Sequence, residues 1–403
     1  MKAENNNEFV KAAFDAFALK PQYSHHGIQV YTRNLLAALQ RRAGLSGIQI
    51  RSFIPAAEDA TTGNSTAELG FSPRKSALMQ FDRLWRYGGA TAAAFLDGAD
   101  ILLNPHGVSL PIKTLLPTIT AIHDLTPMVM PCFPRRTTFF LRFLLARSAK
   151  SSTAIIAVSD NTRQDLIRIC GVPESKIHVV YEGYDRELFN RIPSDAALLQ
   201  QLLSRLQITR PYVLHHGAIQ PRKNLVRLIA AYRRLLAGNP RIDLDLVLAG
   251  PLAWQHQETV DAARDDHAGR GKVILTGALN DGDLSLLLRG ASLEVVPSLY
   301  EGFCLPMVEA MACGVPTLAA NSSCLPEISG GVLRYFDPRS VEDMAACMET
   351  VLLSHDLQAE LAEHGSARAQ KFSWDICAQE TVAVLDQVAR RREVHSRAAG
   401  VAL

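Results

Sequence analysis

The chain has 403 residues, 48% of them apolar and 20% charged, with 42 Lys+Arg set against 40 Asp+Glu for a formal net charge of +2. That length exceeds one ordinary hydrophobic core and suits two or three domains, while the composition excludes extended disorder. The near balance of charge excludes the global basic field that nucleic-acid binding needs, so an anionic partner has to be met locally.

The opening "MKAENNNEFV" carries no apolar core of a signal peptide, and no stretch reaches the roughly eighteen consecutive apolar residues of a spanning helix. A cytoplasmic protein is expected. Seven cysteines, an odd number with no C-x-x-C, fit neither a disulfide framework nor a zinc site. They read as small buried residues in a reducing compartment.

In chain order, "YSHHGIQVYTRNLLAAL" sets Gly27 at the head of a helical pattern running from about Gln29 to Leu39. A glycine there lets backbone N–H groups approach an anion, although a plain turn glycine fits the stretch equally well. The runs "ADILLN", "TITAIHD", "TAIIAVS" and "KIHVVYEG" read as strands, and "PYVLHHG", "LDLVLAG", "KVILTG" and "LEVVPS" repeat the pattern in the second half. Their nearly continuous apolarity predicts strands covered on both faces, and the helical stretches between them predict parallel, doubly wound α/β sheets. Residues 184–211 have no strand signal and end in a proline, and so read as a linker. Two Rossmann-like lobes are expected, over residues 1–190 and 208–372, followed by a helical tail over 373–392. Ligands of such folds sit beyond the carboxyl ends of the strands, and with two lobes the natural place is the cleft between them.

Four strand ends carry polar chemistry. Gly27 is the first. In "TAIHDLTPMVMP", His123 and Asp124 directly follow a strand. The histidine can hydrogen-bond a hydroxyl or a developing charge with Asp124 orienting it, and a structural His–Asp turn reads the same way. In "LHHGAIQPRKNLVRLIAAY", Arg222 and Lys223 open an amphipathic helix against the usual preference for acids there; an anion would balance them, and a solvated basic turn is the other reading. In "LYEGFCLPMVEAMACGVP", Glu301 lies in a loop and Glu309 on a helix about two turns from its start. A carboxylate on so apolar a helix needs a partner, and sugar or ribose hydroxyls are suitable ones.

Between Asp124 and Asp160 there is no acid, and residues 133–150 interleave Arg135, Arg136, Arg142, Arg147 and Lys150 with Phe139, Phe140, Leu141, Phe143, Leu144 and Leu145. Such a helix can lie on an anionic bilayer or pack on a sheet with its arginines snorkelling. Asp243 and Asp245 form the one D-x-D in a strand context, at the start of the strand and away from the carboxyl ends. No metal requirement is expected.

These motifs together resemble the retaining glycosyltransferases of family 4, which have the GT-B fold. Their hallmark is E-G-F-x-L-P-x-x-E-A-x-A-x-G-x-P, here "EGFCLPMVEAMACGVP", and "PRKNLVRLIAAY", "IIAVSDNTRQDLI" and "KFSWDICAQETVAVL" fall where the family has similar segments. The resemblance implies two Rossmann-like domains facing a cleft, the first binding the acceptor and the second the nucleotide sugar, with the terminal helix crossing back to the first. It implies that Glu301 contacts donor-sugar hydroxyls, that the backbone N–H groups of Phe303, Cys304 and Leu305 hold sugar and phosphate, and that Glu309 accepts from the ribose. Arg222 and Lys223 would clamp the diphosphate, the Gly27 loop would close on it, and His123 would touch the donor sugar.

No cofactor is implied; the donor is a nucleotide-diphosphate sugar, with GDP-mannose favoured because the "PRKNL" variant resembles mannosyltransferases of polysaccharide and O-antigen assembly. The implied acceptor is a glycan or polyprenyl-linked glycan at the inner face of the plasma membrane, with peripheral contact through 133–150. Two departures stand out: Ala218 replaces an arginine common among relatives, and Cys304 replaces the usual glycine. A nucleotide-sugar 2-epimerase of the same fold and a non-catalytic sugar-nucleotide-binding subunit are the alternative readings.

Overall fold

The computed structural model describes residues 10–20, 27–43, 47–55, 74–76, 85–107, 115–130, 135–264 and 270–398. The opening segment read for a signal peptide, residues 23–26 before Gly27, and residues 133 and 134 of the basic stretch lie outside them. The described residues fall into two compact units, one holding those within 1–129, 134–183 and 374–403, the other holding Met130 and those within 184–373.

Among the described residues of the first unit, seven strands form one sheet: β1 (Val10–Asp15), β2 (Ile48–Pro55), β3 (Arg74–Ser76), β4 (Ile101–Asn104), β5 (Thr118–Ile122), β6 (Ala154–Ala157) and β7 (Ile177–Val179), in the order β3-β2-β1-β4-β5-β6-β7. All pairs are parallel. The second unit holds β8 (Tyr212–His216), β9 (Asp245–Ala249), β10 (Val273–Gly277), β11 (Leu293–Val296), β12 (Thr317–Ala320) and β13 (Arg334–Phe336), in the order β10-β9-β8-β11-β12-β13. These pairs are parallel too. In both sheets the first strand is central and the order reverses beside it, at β1/β4 and at β8/β11. This is the doubly wound plan, and the carboxyl edge at the reversal is where it leaves room for a ligand.

The physical cause is legible in burial. β4, β5, β6, β8, β9, β11 and β12 are buried at every position. A strand apolar on both faces is stable only when helices cover both sides, and parallel pairing through helical crossovers supplies that cover. The covering helices are apolar on one stripe: Gly27–Ala43 buries Tyr31, Leu35, Leu36 and Leu39, while Leu225–Gly238 buries Leu228, Ile229, Tyr232, Leu235 and Leu236.

Two boundaries differ from the sequence reading. Residues 184–211 are part of the second unit, because they contain the helix Ala196–Arg205, capped by Asp195 and tied through Arg205 to Asp283 of the helix Asp281–Arg289. The lack of a strand there reflects a helix. The tail runs longer than expected, as the helix Trp374–Ala398, and belongs to the first unit. It buries Trp374, Cys377, Leu385 and Val388, sets the Trp374 ring edge-on to Tyr31 at 5.8 Å, and pairs Asp375 with Arg41. Among the described residues no helix is long and apolar enough to cross a membrane, and six cysteines are free and buried.

Candidate functional site

In the second unit the site is built where β8 and β11 end. Beyond β8 the chain crosses the end of β9 so closely that a Cβ on Gly250 would stand 2.0 Å from the Gly217 carbonyl oxygen. It then reaches a short turn, Pro221–Lys223, of 3-10 type. Asn224 follows in the left-handed conformation at φ 61°, and only then does the helix Leu225–Gly238 begin. Arg222 and Lys223 are therefore not in the first turn of an α-helix, as the sequence suggested. They belong to a separate turn fastened to the loops after β11 and β13: the Asn224 side-chain amide donates to the carbonyls of Pro297 (3.1 Å) and Pro338 (2.7 Å), and Leu299 N–H donates to the Arg222 carbonyl (2.8 Å).

The anion that balances the two cations is Glu301. One carboxylate oxygen pairs with Arg222, and the other takes Lys223 Nζ at 2.6 Å and the Ser298 hydroxyl at 2.8 Å. Glu301 N–H donates to Ser323 Oγ at 3.0 Å, and Arg222 also donates to the Tyr300 carbonyl at 3.0 Å. Glu301 and Lys223 are both buried. Burial alone would raise the Glu301 pKa, but the adjoining Arg222 and Lys223 charges overcome it and hold the carboxyl down to about 2. Glu301 is thus committed to its cations on both oxygens.

Phe303 and Cys304 follow, both buried. Cys304 sits at φ 73° and caps the helix Leu305–Ala312. The left-handed backbone is the physical reason a glycine suits this position. Glu309 is the fifth residue of that eight-residue helix, little more than one turn from its start rather than two. It is not isolated: its Oε2 meets His216 Nε2 at 3.2 Å, and His216 Nδ1 meets Glu294 Oε1 at 3.1 Å. Burial would lower the His216 pKa, but Glu294 and Glu309 on either side raise it to about 9. The preceding His215 points to the other face of β8. Its Nδ1–H donates to the Val295 carbonyl at 2.9 Å, and burial together with Lys223 lowers its pKa to about 3, so it stays neutral.

In the first unit His123 follows β5. Its Nδ1 meets Glu182 Oε1 at 2.9 Å and its Nε2 meets the Pro105 carbonyl at 2.8 Å, with Tyr31 edge-on at 4.5 Å. Burial opposes the imidazolium, but Glu182 and the Pro105 carbonyl prevail and raise the pKa. Asp124 does not orient the ring; its Oδ1 accepts from Thr126 N–H at 2.8 Å, a local turn bond. The neighbouring strand ends bring Asp15 and His106 together at 2.9 Å, with Trp85 Nε1 donating to Asp15 at 2.8 Å. Gly27 is the first residue of the helix Gly27–Ala43 and is exposed. A Cβ at that position would meet nothing within 4 Å, so no steric demand for glycine acts there.

Sequence reasoning missed Glu182, His216, Glu294, Ser298 and Asn224. One signal was present: Glu294 is an acid inside the apolar strand "LEVV", and an unpaired carboxylate there would be costly. Asp243 and Asp245 stand at the amino end of β9 beside Arg210, and Asp245 accepts from Lys272 N–H at 2.8 Å.

Two parallel six- and seven-stranded lobes with this order define the GT-B class of fold. Solved structures of that form superpose on the chain: Anabaena HepE in complex with UDP and glucose has a TM-score of 0.71 at 19% identity, covering 94% of this chain and 100% of the other. WaaG, a glycosyltransferase involved in lipopolysaccharide biosynthesis, has a TM-score of 0.65 at 14% identity, covering 93% and 99%. The chain belongs to the glycosyltransferases: residues 204–368 match the family described as Glycosyl transferases group 1, and residues 25–188 match Glycosyltransferase Family 4. It is 29% identical over 378 residues to the O-antigen chain mannosyltransferase B of Escherichia coli, covering 91% of this chain and 97% of that protein.

Proposed function

We propose that this glycosyltransferase moves a hexosyl group, mannosyl from GDP-mannose, onto a glycan or polyprenyl-linked glycan with retention of anomeric configuration. The observation that carries the reading is the Arg222–Lys223–Glu301 cluster beside the start of the helix Leu305–Ala312. Two fixed cations next to a helix N-terminus suit a diphosphate, through charge-assisted hydrogen bonds worth roughly 1.5–3 kcal/mol each. Glu309 would accept from the ribose, the N–H groups of Phe303, Cys304 and Leu305 would meet sugar and phosphate, and the backbone at Gly27 would approach an anionic phosphate. The mannosyl assignment is supported by the Escherichia coli relative named above.

In the transfer, the bond between the anomeric carbon and the diphosphate oxygen breaks as the acceptor oxygen bonds to that carbon, and the acceptor proton passes to the departing phosphate. Arg222 and Lys223 stabilise the charge that develops there. With both oxygens engaged, Glu301 serves as a fixed negative charge facing the sugar and not as a nucleophile. His123, with both ring nitrogens already held by Glu182 and the Pro105 carbonyl, would touch the donor sugar through its ring and not through a free N–H. No cofactor is invoked.

Peripheral membrane contact belongs to the same reading. The helix Arg135–Ser151 exposes Phe139, Phe140 and Phe143 at 76%, 44% and 57%, alongside Arg135, Arg136, Arg142 and Arg147. Apolar rings among arginines suit the headgroup layer of an anionic bilayer, where a lipid-linked acceptor would reside.

The deciding experiment is a thermal-shift series with GDP, UDP, dTDP and the matching sugar nucleotides on the wild type, Glu309→Ala and Arg222→Ala. GDP and GDP-mannose should raise the wild-type melting point by mass action, and both variants should lose the response. No shift at millimolar nucleotide would overturn the donor assignment.

A further inference from the structure

Glu294, His216 and Glu309 form a line of alternating charge that starts in the sheet and ends at the site. Glu294 lies on β11 and His216 on β8, neighbouring strands at the order reversal. The Glu294 side chain is wholly buried, that of His216 is 3% exposed, and that of Glu309 reaches 15%. Glu294 Oε1 accepts twice from His216, from its backbone N–H at 3.2 Å and from its ring at 3.1 Å. With a carboxylate facing each ring nitrogen, both nitrogens donate. The ring is thereby fixed in plane, and its Nε2–H is aimed at one oxygen of Glu309. Among the described residues the other oxygen of Glu309 has no hydrogen-bond partner.

We propose that His216, anchored by Glu294, is the positioning residue for Glu309, committing one carboxylate oxygen to the protein so that the other is presented to a pair of vicinal hydroxyls on the bound nucleoside. The inference rests on the reading of Glu309 as a ribose acceptor and adds what makes that acceptor selective. A free glutamate rotates about its terminal torsion and accepts from any donor, whereas one held at Oε2 offers a single direction. The expense of the arrangement supports a role beyond stability. Removing ions from water costs several kcal/mol each, and apolar residues of similar volume are often no less stable than a buried pair. What an apolar pair at 216 and 294 could not do is aim Glu309.

The test compares binding of GDP and UDP with that of their 2′,3′-dideoxy analogues by titration calorimetry, for the wild type, Glu309→Ala, His216→Gln and the double variant His216→Leu/Glu294→Leu. The wild type should prefer the hydroxylated nucleotide by about tenfold or more, as one or two charged hydrogen bonds require. Both His216 variants should lose most of that preference while keeping the wild-type affinity for the dideoxy analogue. The double variant leaves no buried charge behind; if it does not fold, His216→Gln, which keeps a polar side chain of similar reach, carries the same comparison. If Glu309→Ala abolishes the preference and folded His216 variants retain it, the positioning role is refuted and the ribose reading stands. If Glu309→Ala itself retains the preference, the ribose reading falls, and the inference with it.

Discussion

Replacing Glu301 with glutamine keeps the side chain's shape and removes the counterion of two cations. Lys223 is 4% exposed, and its ammonium lies 2.6 Å from the carboxylate, so water cannot take the carboxylate's place. The carboxyl is held down at about 2 against an ordinary value of 4.5. Converted at about 1.4 kcal/mol per pH unit, that depression corresponds to roughly 3 kcal/mol of stability, the lower end of the roughly 3–5 kcal/mol seen when one partner of a buried pair is removed. For a unit of this size the melting transition should fall by about 6–12 °C. Because the folded pKa lies below the unfolded one, the contribution is present above pH 4.5 and lost as pH falls towards 2, so the variant should converge on the wild type in acid. A diphosphate would restore the missing charge, so GDP should raise the variant's melting point by more than the wild type's. Scanning calorimetry with and without GDP, beside a transfer assay, reads both effects. A melting point within about 1 °C of wild type would refute the counterion argument, and a smaller GDP response in the variant would refute the assignment of the diphosphate to Arg222 and Lys223.

His216 is raised to about 9, so its share of stability is full below the unfolded value near 6.5 and is lost as pH rises through 9; melting curves from pH 6 to 10, on the order of four units, should show this decline in the wild type and not in His216→Gln. Gly250→Ala would drive a Cβ to 2.0 Å from the Gly217 carbonyl; a loss of about 3 kcal/mol or more by urea unfolding is expected, and an unchanged midpoint would contradict the close crossing of the chain there. Exchanging Phe139 and Phe143 for serine should abolish co-sedimentation with anionic phospholipid vesicles while leaving GDP binding intact; undiminished sedimentation would remove this helix as the lipid contact.

The sequence conveyed periodicity better than partnership. Of the eight strands that showed themselves, six did so because burial on both faces makes a run continuously apolar, as in "TITAI" and "DLVLA", while β7 and β10 are apolar yet only partly buried. Five strands escaped notice: β2 ("IQIRSFIP") interleaves polar with apolar residues, β3 ("RKS") is polar throughout, and β1, β12 and β13 ("VKAAFD", "TLAA", "RYF") carry alanines or charged residues in place of a β-branched run. Of the site, the residue types at 222, 223, 301 and 309 were readable from the motif. Their pairings were not, since Glu301 meets Lys223 across 78 positions of chain and His216 meets Glu309 across 93. Asp124, adjacent in sequence to His123, was the natural partner on paper, yet the strand order brings the end of β7 and its Glu182 to the ring instead.

The first unit is interrupted in the chain by the second. Its helix Trp374–Ala398 packs with residues encoded before position 183, and Trp374, Cys377, Leu385 and Val388 complete its core. On the ribosome, Tyr184–Ser373 emerges and can close its own sheet while the earlier unit still lacks that helix. At about 5–20 residues per second the wait is on the order of 10–40 s. Throughout that interval the hydrophobic surface beside Tyr31 lacks the cover of the helix Trp374–Ala398, so the order of synthesis makes the earlier half of this enzyme the later one to mature and the one more exposed to chaperones.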